Sequence, residues 1–94
     1  VIVNFKSAET RLIFDGFVSR YYPPDIQEIA LRKLLLLNAA TSVNDLRVPP
    51  GNRLEKLVAD RKGQYSIRIN GQWRICFVWT DENNADRVEI VDYH

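Results

Sequence analysis

The apolar pattern of this chain changes period halfway along, and that change limits the folds open to it. Ile26, Ile29, Ala30, Leu34 and Leu37 recur at helical spacing. Further on, Tyr65, Ile67 and Ile69 alternate with polar residues, and so do Trp73, Ile75, Phe77 and Trp79. A period of two is the mark of a pleated strand with one buried face. Asn70-Gly71 lies between the two alternating runs and marks a hairpin. A two-residue loop would set Ile69 opposite Gln72 and divide the apolar set between two faces. An odd-length loop pairs Ile67 with Ile75 and keeps the set together, so the sequence predicts an odd-length loop, with Gly71 supplying a positive φ. A helical half followed by a strand half predicts one α+β domain over residues 1–94: a twisted, mainly antiparallel sheet with two N-terminal helices packed on one face.

The local signals fill in this outline. Residues 1–5 read as a short strand, and Ser7 as the N-cap of a brief helix that runs to Phe14 and ends at Asp15-Gly16. Residues 17–24 form a loop ending in Pro23-Pro24. The main helix runs from Asp25 to about Ala40, with Asp25 and Glu28 at the positive end of its dipole. Residues 34–37 are four consecutive leucines, more than a small domain can bury on all sides, so at least one of Leu35 and Leu36 is left for a partner. Residues 41–52 make a connector too rich in Pro and Gly for a regular element. Strands are expected at 53–57, 64–69, 72–80 and 87–93.

The net charge of +1 hides an asymmetry. Residues 47–78 hold seven basic side chains (Arg47, Arg53, Lys56, Arg61, Lys62, Arg68, Arg74) against Glu55 and Asp60, while residues 79–94 hold Arg87 against five acids. A basic middle third points to an anionic partner, against the plainer reading of a solvated basic face; if that partner is RNA, Arg53, Lys56, Arg61, Lys62 and Arg68 are its candidate contacts. Strand parity places Gln64, Ser66, Arg68, Arg74 and Cys76 on the open face of the sheet. Arg68 and Arg74 then sit across from each other, an unfavourable arrangement that an anion between them would relieve; the competing reading turns both outward to Asp81, Glu82 or solvent.

Several chemistries are excluded. One cysteine, Cys76, rules out an internal disulfide and fits a core residue in a reducing cytosol. One histidine and one cysteine cannot make an ordinary zinc site, and no Gly-rich phosphate loop is present, so neither metal nor cofactor is expected. No stretch approaches the ~20 apolar residues of a membrane span, and the first residues do not resemble a secretion signal. The expected location is the cytoplasm.

The closing residues Asp92, Tyr93 and His94 bring together an acid, a phenol and the only histidine. RNA cleavage can run on such groups without a metal. A base takes the ribose 2′-OH proton, that oxygen attacks phosphorus, an acid protonates the leaving 5′-oxygen, and a cation steadies the phosphorane. Arg74 suits the last task. His94 could be acid or base, with Tyr93, Asp92 or Lys56 supplying or orienting the second proton function. A single histidine excludes a two-histidine mechanism. The loss of one strong proton-transfer group costs roughly 10²–10⁴ in rate, so activity on free RNA should be feeble unless an external scaffold orients the substrate. Strict alternation sends His94 to the side of Val88 and Ile90, and a bend at the strand end would free it.

Leu54, the Asp60-Arg61-Lys62-Gly63 turn, Ser66-Ile67-Arg68, Trp73-Arg74-Ile75-Cys76-Phe77 and Asp92-Tyr93-His94 together resemble the HigB branch of the RelE-like toxins. These are killer proteins of bacterial toxin–antitoxin and plasmid-maintenance systems. The resemblance runs the whole length and includes Phe5, Arg32-Lys33-Leu34 with Asn38-Ala39-Ala40, and Pro49-Pro50-Gly51-Asn52-Arg53-Leu54. It implies a RelE-like fold and a toxin that enters the ribosomal A site, cuts mRNA by 2′-OH attack without metal and so stops translation. It also implies a HigA-like helix-turn-helix antitoxin that neutralises the toxin. The pair represses its own operon, so operator DNA is reached only through the antitoxin. The implied roles are transition-state phosphate for Arg74, proton transfer for His94, and substrate contact or orientation for Tyr93 and Asp92. One departure bears on catalytic strength and not on the fold: Glu55 and Val58 stand where some members carry His and Lys, so Lys56, Arg61 or Lys62 would have to substitute, and a weak toxin is expected. Two rivals remain, a toxin of the same fold that blocks a topoisomerase and a non-catalytic partner of a DNA-binding repressor.

Overall fold

The computed structural model describes residues 1–58 and 63–93. Helix α1 spans Ala8–Phe14 and α2 spans Pro24–Ala39. Strands β1 (Glu55–Lys56), β2 (Gln64–Arg68), β3 (Trp73–Trp79) and β4 (Ala85–Asp92) form one antiparallel sheet in chain order. The helices cover one face of it, as the two-period pattern predicts. Ile26, Ala30, Leu34 and Leu37 on α2 and Ile13 on α1 pack with Ile67, Ile75, Phe77, Val88 and Ile90 of the sheet in one buried cluster.

Each boundary has a local cause. The Ser7 hydroxyl accepts the Thr10 N–H at 3.2 Å and caps α1. Gly16, at φ +91, ends it in the left-handed region, with its N–H donating to the Ile13 carbonyl. Pro24 opens α2, and the Gln27 side chain secures the loop before it, donating to the carbonyls of Ser19 and Tyr22 and accepting the Ser19 N–H. Of the four leucines, Leu34 and Leu37 are buried, while Leu35 and Leu36 are 50% and 40% exposed.

The hairpin register is the odd-length one: Ile67 pairs with Ile75, Tyr65 with Phe77 and Arg68 with Arg74. Gly71, however, does not take a positive φ. The Asn70 side chain builds the turn instead, its carbonyl oxygen accepting the N–H groups of Gln72 and Trp73, each at 2.8 Å. The connector also differs from expectation. It winds into two short 3₁₀ turns, Val43–Arg47 and Pro50–Asn52, the first stabilised by a reciprocal Ser42–Asp45 cap.

Strand β4 begins two residues earlier than alternation indicates, because it carries a bulge. Val78 pairs with Asp86 but Cys76 with Glu89, so one extra residue is accommodated, and Arg87 takes φ 52. The bulge turns both Ala85 and Val88 inward, which simple alternation cannot do. Residues 1–6 lie along the outer edge of β4 through two isolated parallel bridges, Ile2 with Ala85 and Phe5 with Val88, rather than as a regular strand. Where they leave that edge, side chains take over. The Ile90 N–H donates to the Thr10 hydroxyl at 3.0 Å, and the Tyr22 hydroxyl donates to the Ile90 carbonyl at 3.2 Å.

Candidate active site

The face of the sheet turned away from the helices carries the arginines. It is not open, as parity alone had it: Ser66 and Cys76 are fully buried and Arg74 is 9% exposed. Three neighbours lie on this side. Leu57, buried but outside the main apolar cluster, shares that side of the sheet by alternation with Glu55. The Arg53 carbonyl accepts from Arg74 Nη2 at 2.6 Å. The Tyr93 ring lies 5.6 Å from the Arg74 guanidinium carbon.

Arg74 is thereby fixed. Its Nε donates to the Ser66 hydroxyl at 2.8 Å, and Nη2 donates also to the Ser66 carbonyl at 3.3 Å. Arg53 makes the anchor possible by adopting the left-handed conformation, φ 44, as the chain leaves the second 3₁₀ turn. Nη1 has no hydrogen-bond partner among the described residues. An arginine held on one edge with its other amino group unspent can grip an anionic oxygen at little conformational cost.

Arg68 and Arg74 are direct cross-strand partners whose side chains take different directions. Arg74 folds over Ser66, while Arg68 lies beside Gly71 at the hairpin and lines a cleft with α2. The sheet thus relieves the like-charge pairing by divergence.

The other candidates are divided between faces. Tyr93 stacks on Arg74, but Asp92 pairs with Trp73 and lines a cleft on the helix side, about 660 Å³ in volume, with Glu9, Tyr21, Tyr22 and Trp73. Asp92 also accepts from Gln72 Nε2 at 3.1 Å. Lys56 pairs with Tyr65, which stacks on Phe77, so register sends Lys56 to the helix side, away from Arg74. Arg53 is exposed next to the site and contributes its carbonyl. Arg61, Lys62 and His94 lie outside the described residues. Glu55, which the sequence pattern does not mark as a site residue, pairs with Ser66 and so shares the Arg74 side, exposed at the sheet edge. The signal was available: Glu55 has the parity of Leu57, and Lys56 does not.

A family model described as the RelE-like toxin of type II toxin–antitoxin system HigB matches residues 4–94. Toxin HigB-1 of Vibrio cholerae is 48% identical over 62 residues, which is 66% of this chain and 65% of that protein, so the match spans just under two thirds of that relative. Endoribonuclease HigB of Proteus vulgaris is 28% identical over 94 residues, the full length of both. Among solved structures, the YoeB-YefM complex from Staphylococcus aureus aligns with a TM-score of 0.57 at 18% identity, covering 100% of this chain and 98% of that one, a likeness of fold. By sequence over nearly its whole length, and by the helix-covered four-stranded sheet that carries it, this chain belongs to the HigB family of RelE-like toxins of type II toxin–antitoxin systems.

Proposed function

We propose that this chain is a ribosome-dependent, metal-independent mRNA endonuclease that stops translation in the cytoplasm. A helix-turn-helix antitoxin of the HigA kind holds it in check, and with that antitoxin it represses its own operon. The observation that carries the reading is the anchored Arg74, with three hydrogen bonds on Nε and Nη2, an aromatic ring over it and Nη1 left for a phosphate oxygen. The Proteus vulgaris relative, named as an endoribonuclease, supports the same class of reaction.

In this mechanism Arg74 takes up the charge that develops on the phosphorane. Tyr93 braces Arg74 and contacts the substrate. Glu55, on the same face, takes the 2′-OH proton, and His94 protonates the leaving 5′-oxygen. Asp92, on the other face, orients the strand end rather than the phosphate. Arg53, Arg61 and Lys62 hold the RNA backbone. The ribosome supplies the substrate orientation that a site with one histidine lacks.

The test is mapping of mRNA ends in a translating extract and in ribosome-free buffer. Cuts at codon-phased positions only in the extract, abolished by His94→Ala and by Arg74→Lys with both variants folded, are the expected result. DNA damage in expressing cells with intact mRNA would overturn the nuclease in favour of a topoisomerase block.

A further inference from the structure

A second cleft, about 540 Å³ in volume, opens between α2, the connector and the β2–β3 hairpin. Its rim carries Arg32, Lys33 and Arg68, and Ile29, Leu36 and Ile69 contribute apolar surface. The ion pairs among the described residues are Lys6–Glu89 and Arg11–Asp15, so none of the three rim cations has a carboxylate there. Lys33 is positioned, not free to swing: its ammonium donates to the Asn52 side-chain oxygen, and Asn52, fully buried, donates in turn to the carbonyls of Leu46 and Val48. Burial and then the neighbouring Arg32 push the Lys33 ammonium below its ordinary value, a cost that a bound anion relieves. Leu35 and Leu36 extend apolar surface along the same helix, 50% and 40% exposed.

We propose that this cleft docks an acidic amphipathic segment of a partner protein, with carboxylates on Arg32, Lys33 and Arg68 and a leucine-type side chain against Ile29, Leu36 and Ile69. Charge complementarity chooses the sign of the occupant. The apolar surface chooses peptide over RNA, since phosphodiesters make no use of it and, among the described residues, no aromatic ring lines the cleft to stack a base. Arginine forks match carboxylates in pairs, and aliphatic surface beside them completes a groove of the helix-binding type. The inference deepens the partner side of the proposed function and rests on it only for the existence of a protein partner.

The test titrates the full ¹⁵N-labelled chain with three probes: a capped amphipathic peptide of Glu and Leu, the same peptide with Gln for Glu, and a short oligouridylate. The expected result is amide shifts at Arg32, Lys33 and Arg68 with the Glu peptide, and at least tenfold weaker binding of the Gln peptide. Arg32→Glu, an exposed change, should weaken the Glu peptide by at least tenfold and leave mRNA cleavage in extract unchanged; Lys33→Gln is the second variant. No shift in the cleft, equal binding of the Gln peptide, or tighter binding of the oligouridylate at these amides would overturn the proposal. Loss of cleavage with peptide binding intact counts against the nuclease alone, and the reverse against the cleft alone.

Discussion

Arg74 is both a candidate catalytic group and part of the fold, and this changes how it should be tested. Truncation to Ala would strand the buried Ser66 hydroxyl, at about 1–3 kcal/mol for a buried group left unsatisfied, and would release the Arg53 carbonyl. Lost toxicity of Arg74→Ala would therefore mix unfolding with chemistry. Arg74→Lys keeps the charge and loses the fork; cleavage is expected to fall about 10²-fold or more, of the order lost with one oxyanion-type donor, while urea denaturation moves far less than for Ala. Glu55→Gln is the matching change for the proposed base, and a fall of about 10²–10⁴ in cleavage rate with an unchanged urea midpoint is the expected outcome. An unaltered rate would hand the base role to His94. Asp45 gives a pH-dependent case. Hydrogen bonds from the Thr41 N–H, the Ser42 N–H and the Thr41 hydroxyl hold its carboxyl below the usual range. Its stabilisation is thus complete above the unfolded pKa and is lost as pH falls through the lower folded one. Asp45→Asn should flatten the acid limb of Tm against pH, measured by thermal melts.

Among the elements, β4 is the most closely supervised. Residues 1–6 pair with its first half, and Thr10 and Tyr22 satisfy Ile90 where that pairing stops, so α1 and the following loop cover an edge that would otherwise invite another strand. The Tyr22 ring also meets Trp73 edge-on at 5.7 Å. Thr10→Val conserves shape and deletes the acceptor for a buried N–H. A loss of about 1–3 kcal/mol in unfolding free energy is expected, read from the denaturant midpoint at constant m-value. The bulge at Arg87 shows why this strand was only half legible in the sequence. Its apolar residues Ala85, Val88 and Ile90 do not alternate, so the pattern begins only beyond the irregularity.

At the scale of the molecule, one sheet separates two basic features whose arginines are neighbours in register. Arg74 serves the covered face, and Arg68 serves the cleft against α2. The end of the connector and the residue after it are the wall between them, with Asn52 on Lys33 and the Arg53 carbonyl on Arg74. Among the described residues no helix is long and apolar enough to cross a membrane. If phosphate contacts dominate ribosome association, binding in a sedimentation assay should weaken steeply between low and physiological salt.

Sequence by itself determined the α+β division, the caps of α1, the buried stripe of α2 and the register that joins Ile67 to Ile75, because period and turn length act over a few residues. Only the tertiary structure decided that the arginine face is covered, that Arg68 and Arg74 part company, and that Glu55 rather than Lys56 shares the side of Arg74. Those outcomes hang on contacts between distant segments, such as Arg53 with Arg74 and Thr10 with Ile90, and no local pattern encodes where such segments meet.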